Sequence, residues 1–217
     1  MLEIKKKAYD VNVNGTVNLL KACSEKKCKQ FIFASTEWVY GEKKNSRTSK
    51  ENDILRLDKL SSYYAKTKLL NERYLKKNKF NFPVTILRFG IIYGPRKSNW
   101  SAVENIMSTI KTNNKIVVGS KKTARKFIHV NDIAAGIVKT FNSHENAIYN
   151  LGGNKLVTLS ELISKSCDIY KKKVEVIEAN KNKANIRNIS SQKISRDLKW
   201  NPKINMERGL KTLKKFI

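Results

Sequence analysis

Two short, predominantly apolar runs constrain the fold of this chain more than any other feature of its sequence. The runs are residues 31–34, Phe-Ile-Phe-Ala, and residues 84–89, Val-Thr-Ile-Leu-Arg-Phe. Apolar runs of this length suit parallel strands that are buried on both faces of a sheet. Each run follows a segment in which larger apolar side chains recur at helical spacing, residues 8–26 and residues 62–77. This alternation of helix and strand predicts an α/β fold with a parallel sheet.

Beyond residue 92 the alternation becomes less regular, and we place a domain boundary there. The polar segment over residues 42–60 is predicted to be a surface loop. The same patterns predict the remaining elements, as helices over 102–112, 131–141, 158–170, 191–198 and 206–216 and strands over 115–118, 126–128, 147–151 and 174–177.

One pair of side chains in the second helix has a spacing that can support proton transfer. Tyr64 and Lys68 are four residues apart and therefore share a helix face. A free tyrosine has a pKa of about 10, and a neighbouring ammonium group stabilises the phenolate and lowers that pKa. The pair can then accept a proton from an alcohol while a hydride leaves the same carbon. Lysine-rich sequences also produce this spacing by chance, so the pair alone is weak evidence.

The residues after the first strand strengthen this interpretation. Ser35 and Thr36 follow the apolar run at its carboxyl end, which is where α/β proteins place their sites. The Thr36 hydroxyl can hydrogen-bond the oxygen of the reacting carbon. We therefore expect Thr36, Tyr64 and Lys68 to form one site.

The formal net charge of +27 suggests attraction to an anionic partner, such as nucleic acid, a membrane surface or a phosphorylated small molecule. However, Lys, Asn and Ile are all abundant, as expected from an AT-rich genome, and the lysines are scattered along the whole chain. No basic stripe interleaved with aromatic residues, as found in single-strand binders, is visible. We favour compositional drift over a dedicated nucleic-acid surface.

The cysteine and histidine content indicates a reducing compartment and no metal site. The three cysteines form neither a Cys-x-x-Cys pair nor a disulfide framework, and only two histidines are present. No run approaches the roughly 20 apolar residues that a membrane helix needs. The first residues lack the pattern of a secretory signal. We expect a cytoplasmic protein with no membrane association.

Six motifs follow one another in an order that is known from one enzyme family. They are Asn12–Leu20, Phe33–Thr36 with Val39–Gly41, Tyr64–Lys68 with Leu69 and Glu72, Leu87–Pro95, Arg125–Asp132, and Tyr149–Gly153 with Leu198–Lys203. In this order they resemble the extended short-chain dehydrogenase/reductase family, in its NAD-dependent epimerase/dehydratase branch, which acts on nucleotide sugars. The resemblance covers nearly the whole chain.

The resemblance implies a cofactor, NAD or NADP, and the residues near it. Tyr64 would be the catalytic base, and Lys68 would activate it and bind the nicotinamide ribose. Asn12 and Ser35 would lie near the cofactor. Family members are commonly dimers, so a homodimer through the helices over 8–26 and 62–77 is also expected.

The resemblance also implies how a nucleotide-sugar substrate would be held. Thr36 would contact the substrate oxygen, with Glu37 beside it, and Arg125 would contact the diphosphate, which suits a planar bidentate cation. Ile91 stands where many members have an asparagine that contacts the substrate phosphate. Trp38 replaces the second acid of the family's 4,6-dehydratases and cannot transfer protons, so we expect an epimerase or a reductase.

The implied fold is a Rossmann-like, doubly wound parallel sheet. Residues 1–92 would form the C-terminal part of the dinucleotide-binding domain. Residues 93–217 would form mainly a small α/β substrate-binding lobe, with residues 120–145 returning to the sheet.

The sequence lacks the opening strand and the Gly-x-x-Gly-x-x-Gly turn of the family, and its first glycine is Gly15. That turn binds the pyrophosphate at a helix N-terminus. We therefore expect roughly 80 residues, about the first half of the dinucleotide fold, to be missing, and we expect weak NAD binding by the chain alone. A truncated or split gene or an incomplete fragment is favoured over a half that another chain supplies. A non-catalytic remnant and, less favoured, a basic protein associated with nucleic acid remain as alternative functions.

Overall fold

The computed structural model describes residues 2–42, 45–98 and 100–217. Its helices are α1 (Leu2–Tyr9), α2 (Gly15–Glu25), α3 (Tyr63–Lys77), α4 (Ala102–Thr112), α5 (Val130–Lys139), α6 (Leu159–Tyr170), α7 (Gln192–Leu198) and α8 (Met206–Lys214). Its strands are β1 (Phe31–Thr36), β2 (Thr48–Ser49), β3 (Val84–Phe89), β4 (Ile92–Tyr93), β5 (Lys115–Val118), β6 (Ala124–Arg125), β7 (Ile128–His129), β8 (Ala147–Leu151), β9 (Val157–Thr158), β10 (Glu175–Glu178) and β11 (Ile186–Ile189). A π-helical turn covers Asp10–Asn14, and 3-10 turns cover Glu37–Tyr40 and Leu57–Lys59.

The central sheet contains β1, β3 and β8 in that order, and both pairs are parallel. Thr36 at the end of β1 is the register partner of Phe89, which in turn pairs with Leu151 of β8. The carboxyl ends of the three strands therefore lie at one edge of the sheet. The predicted α/β fold with a parallel sheet is confirmed.

A buried ionic network holds α3 against this sheet. Arg88 of β3 and Glu72 of α3 form an ion pair of 2.6 Å without solvent exposure. Ser35 of β1 donates to the same carboxylate at 2.6 Å. Arg88 also donates to the Tyr40 hydroxyl at 2.8 Å, and that hydroxyl donates to the Asn150 side chain of β8 at 2.7 Å. Because the network joins α3 to all three strands, it fixes the position of the helix that carries Tyr64 and Lys68.

The remaining strands form three small sheets, with the orders β2-β11-β6-β9, β10-β5 and β4-β7. Helices α4, α6 and α8 pack around an apolar core that includes Met107, Ile110, Leu162 and Leu210. Burial of such side chains, at about 25 cal/mol per Å² of apolar surface, is the main stabilising contribution of this part of the chain.

Residues 120–145 were expected to return to the central sheet. In this range, helix α5 packs against the sheet through Ile133, which contacts the cluster of Leu87 and Leu151. Strands β6 and β7 pair elsewhere, with β11 and β4. The strand that enters the sheet is β8, which begins at Ala147, just outside the expected range.

The helix predicted over residues 8–26 begins earlier and is interrupted. Helix α1 begins at Leu2, and the π-helical turn separates it from α2. The Asn12 carbonyl in this turn accepts hydrogen bonds from the side chains of Thr16 and Asn71, each at 2.7 Å. A π-helical turn presents its carbonyls differently from an α-helix, and here the turn allows Asn71 of α3 to bond to the first helical segment. Strand β2 lies in the segment predicted to be a loop, because β11 pairs with it.

Strand β1 has a neighbour on one side only in the described part of the chain. Ala34 on this strand is exposed, although parallel strands are usually covered on both faces. Within the described residues, this edge of β1 presents backbone groups that no neighbouring strand pairs. Among the described residues, no helix combines the length and apolarity that crossing a bilayer requires.

Candidate active site

Tyr64 and Lys68 lie in the first two turns of α3, beside β1. The helix begins at Tyr63 because the Ser62 side chain caps it by accepting a hydrogen bond from Ala65 N at 3.4 Å. The Lys68 ammonium lies 5.7 Å from the centre of the Tyr64 ring and 5.0 Å from that of Phe33 on β1. The predicted pair therefore shares one helix face, and that face is turned toward the strand.

Burial shifts the pKa values of both groups. Tyr64 is 45% exposed, yet its partial burial raises the pKa of the phenol. Burial also lowers the pKa of the Lys68 ammonium. The sequence led us to expect a lowered Tyr64 pKa, but in the chain itself burial raises it. Both groups are shifted toward their neutral forms.

Thr36 is brought to the same edge of the sheet. It ends β1 and caps the following 3-10 turn, where its Oγ1 accepts a hydrogen bond from Trp38 N at 3.3 Å. The Trp38 ring then meets Tyr64 edge-on, with centroids 6.5 Å apart and an interplanar angle of 86°. Trp38 thus connects the end of β1 to the start of α3, and the Thr36 hydroxyl keeps its proton for another acceptor.

Glu37 is fully buried, and neither of its carboxylate oxygens has a hydrogen-bond partner among the described residues. Its nearest cation is Arg125, whose Nε lies 3.8 Å from Oε1. Burial raises the pKa of Glu37 to about 7, although the charges of Arg125 and Arg187 oppose this shift. Buried polar groups are nearly always hydrogen-bonded, so this carboxyl group has unused capacity for donors from a ligand.

Arg125 and Arg187 are register partners on the parallel strands β6 and β11. The Arg187 guanidinium stacks over Trp38 at 4.5 Å and lies 3.8 Å from the carboxylate of Glu42. Arg125 donates to the main-chain oxygen of Asn185. Burial, together with the charge of Arg187, lowers the pKa of Arg125 to about 10. Two adjacent, largely buried guanidinium groups are suited to an anionic ligand.

The side chains of three predicted site residues contact other parts of the protein. The Ser35 hydroxyl donates to Glu72, inside the network that holds α3. The Asn12 amide donates to Thr67 Oγ1 of α3 at 3.2 Å. The Ile91 side chain packs against the apolar core around α4, α6 and α8. Their side chains therefore connect structural elements rather than point into open space.

Arg187 was not identified from the sequence, and no local pattern marks it among the 45 lysines and arginines. Conversely, His129 has a structural role. Its Nδ1 accepts a hydrogen bond from Asn131 N at 3.2 Å as the cap of α5, and its Nε2 lies 3.1 Å from the hydroxyl of Thr212. Trp200 is buried in the core against α5.

The groups at this edge fit the nicotinamide ribose of NAD. Within the described residues the Lys68 ammonium makes no hydrogen bond or ion pair, and the half-exposed phenol of Tyr64 lies beside it. Together they offer donors to two neighbouring hydroxyl groups. The sequence has no glycine-rich turn that would fit the pyrophosphate.

The model of the NAD dependent epimerase/dehydratase family matches residues 2–152 of the chain. A Bacillus subtilis protein described as an uncharacterized UDP-glucose epimerase is 30% identical over 167 residues, which cover 75% of this chain and 51% of the relative. The UDP-glucuronate 4-epimerase of Thermodesulfobacterium geofontis is 28% identical over 210 residues, which cover 93% of this chain and 63% of the relative. The chain spans about half to two thirds of the length of these curated relatives.

The fold also matches that of a solved epimerase. The UDP-glucose 4-epimerase of Thermus thermophilus, in complex with NAD, superposes with a TM-score of 0.84 at 26% identity, over 96% of this chain and 70% of that one. The α/β fold of this chain is therefore that of the Rossmann-type epimerases over nearly its whole length. Since the family match also includes more than half of the chain and the segments of Tyr64, Lys68 and Thr36, the chain belongs to the NAD dependent epimerase/dehydratase family.

Proposed function

We propose that this site takes part in the NAD(P)-dependent oxidation of a ring hydroxyl on a nucleotide-diphosphate sugar, in an epimerase or a reductase. The observation that supports this most directly is that Tyr64 and Lys68 lie together on α3 beside the end of β1. There the Trp38 ring contacts Tyr64, and the Trp38 backbone N–H donates to the Thr36 hydroxyl. Two of the relatives are named for epimerisation of UDP-sugars. The activity of the whole enzyme is part of the proposal, because the chain spans only part of the length of its relatives.

In the proposed reaction Tyr64 accepts the proton of the ring hydroxyl, and the Thr36 hydroxyl hydrogen-bonds the same oxygen. When bound, the dinucleotide would accept the hydride and, in an epimerase, would give it back. The ammonium of Lys68, which lies beside the Tyr64 ring, stabilises the phenolate once the hydroxyl has given up its proton. In an epimerase, Tyr64 returns the proton once the keto sugar has presented its other face.

We propose that the two guanidinium groups of Arg125 and Arg187 hold the diphosphate. Planar, always charged side chains suit its oxygens better than flexible lysines do. The buried carboxyl group of Glu37 then accepts hydrogen bonds from sugar hydroxyls, which would satisfy its two unpaired oxygens. Trp38 supplies no proton at this edge, so water elimination is not part of the proposal.

For the remaining predicted residues we propose positioning roles. Ser35 orients Glu72 and therefore α3, and Asn12 joins the π-helical turn to the same helix. Ile91 acts through the packing of the segment that follows β3. Ser35 and Asn12 would affect the site by moving Tyr64 and Lys68. Ile91 would act through the core around α4, α6 and α8.

A Tyr64→Phe substitution tests the proposal in a protein that contains this chain and converts a UDP-sugar. Loss of the base should lower kcat by about 10²- to 10⁴-fold, with little change in the affinity for the sugar nucleotide. Tyr63→Phe is the matched control, since it removes a neighbouring hydroxyl from the same helix turn and should leave kcat unchanged. Equal rates for Tyr64→Phe and the wild type would exclude Tyr64 as the base.

Direct binding measurements separate this proposal from its main alternative, a non-catalytic protein. Calorimetric titration of the 217-residue chain should show binding of UDP-glucose that weakens at least about tenfold in Arg125→Ala. NAD should bind weakly, and micromolar NAD affinity would contradict this expectation. Binding without turnover under any reconstituting condition would favour the non-catalytic alternative.

We also propose a homodimer through the helical segments over residues 8–26 and 62–77. Large apolar side chains recur on the outside of the first helical segment, where Ile4, Val11 and Leu19 are exposed. Exposed apolar patches on helices are often sites of protein association. Val11→Glu should convert a dimer to a monomer in light scattering, whereas Lys139→Glu on α5 should not.

A further inference from the structure

A cavity of about 650 Å³ lies over the central sheet, away from the candidate active site. Its floor consists of Val84 and Ile86 of β3 and Ile148 of β8, with Leu75 of α3 at the side. These residues belong to the amino-terminal halves of their strands. At about 3.3 Å per residue, the floor lies roughly 10–17 Å from the carboxyl edge that carries Thr36.

The buried network closes the cavity toward that edge. Arg88 follows Ile86 on the same face of β3, and its ion pair with Glu72 has no solvent exposure. Glu51, which lines the cavity, accepts a hydrogen bond from Arg88 through its carbonyl at 3.2 Å and from Asn150 N through its carboxylate at 2.8 Å. A ligand in the cavity would therefore be separate from one at the active site.

Cations surround the apolar floor. Lys76 of α3 lies on one side, Lys193 and Arg196 of α7 lie on the other, and Lys50 completes the rim. Of these four positive groups, Arg196 is ion-paired with Asp197 at 2.8 Å, and the one acid among the lining residues, Glu51, already accepts a hydrogen bond from the backbone of β8. The lining therefore carries an excess of positive charge.

Two of these lysines have contacts that favour an anion nearby. Lys193 is held in position, and Lys76 is partly buried near another positive charge. The Lys193 ammonium donates to the Ile148 carbonyl at 2.9 Å and lies 4.8 Å from the ring centre of Tyr149. Burial and the charge of Arg88 lower the pKa of Lys76, and the charge of Glu72 opposes them only in part. An anion between α3 and α7 would reduce the repulsion between Lys76 and Arg88. It would also contact the Lys193 ammonium, which is already ordered, so that binding costs less conformational entropy.

We propose that this cavity binds a small organic anion. An aromatic or aliphatic body would lie on Val84, Ile86 and Ile148, and a phosphate, sulfonate or carboxylate group would lie among Lys76, Lys193 and Arg196. The volume is within the range of about 300–1,000 Å³ that is common for small-molecule sites, which combine an apolar lining with a few placed polar groups. The site is independent of the proposed sugar-nucleotide chemistry.

The first test uses the dye 1-anilinonaphthalene-8-sulfonate, which has an aromatic body and one sulfonate, with the full 217-residue chain. Fluorescence titration should show a single saturable site. The double variant Lys76→Ala/Lys193→Ala should weaken binding at least about tenfold. The matched control Lys115→Ala/Lys155→Ala removes the same charge from exposed positions outside the cavity and should stay within about twofold of the wild type. Equal weakening in both variants, or in neither, overturns the proposal.

Competition tests the two halves of the ligand separately. Naphthyl phosphate should displace the dye, whereas neutral naphthol and inorganic phosphate should each be at least about tenfold poorer competitors. If naphthol or inorganic phosphate competes equally well, the combined apolar and anionic site is wrong. Tyr64→Phe and added UDP-glucose should leave dye binding unchanged, and displacement by UDP-glucose would place the dye at the active site instead.

Discussion

Two buried clusters of a carboxylate and arginine lie at the end of β1, and they are built differently. In the first, Glu72 receives hydrogen bonds from Arg88 and Ser35 at distances down to 2.6 Å. In the second, Glu37 receives none from the described residues, and Arg125 approaches no closer than 3.8 Å. Both carboxylates are fully buried, so the difference lies in hydrogen bonding and not in exposure.

The pKa shifts express the same difference. Burial opposes the charge of Arg88, but the hydrogen bonds and charge of Glu72 outweigh it and raise the pKa of Arg88. In the second cluster burial dominates, which raises the pKa of Glu37 to about 7 and lowers that of Arg125 to about 10. We infer that the first cluster stabilises the fold. The second cluster lacks hydrogen-bond donors to Glu37 and an anion beside its arginines, and we infer that a ligand supplies both.

Breaking the first cluster should lower the free energy of unfolding more than any other change proposed for the two clusters. Glu72→Gln removes the charge that compensates the buried Arg88, and loss of one partner of a buried ion pair costs about 3–5 kcal/mol. The free energy of unfolding, measured by urea denaturation, should fall by this amount.

Glu207→Gln is the matched control for this change. It removes an equally short ion pair, 2.7 Å to Lys211, from two exposed side chains, and it should not change stability measurably. If Glu72→Gln were no more damaging than Glu207→Gln, the first cluster would not be structural.

Neutralising the second cluster should stabilise the protein at alkaline pH. The folded-state pKa of Glu37, about 7, lies above its ordinary value of 4.5. Between these values the native state retains a proton that the unfolded state has released, so stability falls as the pH rises. From pH 5 to pH 8 the wild type should lose up to about 3 kcal/mol relative to Glu37→Gln, since each pKa unit corresponds to about 1.4 kcal/mol.

Urea denaturation at several pH values measures this slope. Glu207→Gln should retain the pH dependence of the wild type, because its carboxylate is exposed and ion-paired. A wild type and a Glu37→Gln variant with parallel pH profiles would show that Glu37 is already ionised in the folded protein.

The central sheet could be predicted because its elements have local patterns. Strand β3 has the predicted bounds, and α3 begins within one residue of the predicted start. Strands β2 and β11 were not predicted, because their pairing joins Thr48 to Asn188, 140 residues away, and neither segment has an apolar pattern of its own. The start of α1 and the π-helical turn were also missed, since contacts with α3 determine them.

The parts of the site that depend only on sequence spacing could be predicted. The i, i+4 relation of Tyr64 and Lys68 requires only that α3 be a helix. The roles of Ser35 and Thr36 could not be separated in this way, because successive strand residues face opposite sides and only the packed structure shows which side carries α3. Glu37 and Arg187 acquire their environment from β6 and β11, which are remote in sequence from β1.

Removing the Tyr40 hydroxyl, which bonds to Arg88 of the first cluster, should lower the free energy of unfolding by an intermediate amount. Tyr40→Phe leaves the Asn150 side-chain oxygen without its donor, while Arg88 keeps its bonds to Glu72 and to the carbonyl of Glu51. An unsatisfied buried polar group costs about 1–3 kcal/mol, which urea denaturation would detect. Tyr63→Phe is the control, and a Tyr40→Phe variant as stable as this control would show that Arg88 needs only Glu72.

The smallest effect on stability is expected for Arg187→Lys, and this variant tests the functional side of the comparison. The substitution retains the positive charge but loses the planar stack over Trp38, a contact worth about 1 kcal/mol. If the second cluster serves a ligand, this small loss should be accompanied by about tenfold weaker binding of UDP-glucose in calorimetry, because an ammonium cannot bind a diphosphate in a bidentate manner. Arg208→Lys, an exposed change on α8, should alter neither quantity. Unchanged UDP-glucose affinity in Arg187→Lys would mean that Arg187, like Arg88, only supports the fold.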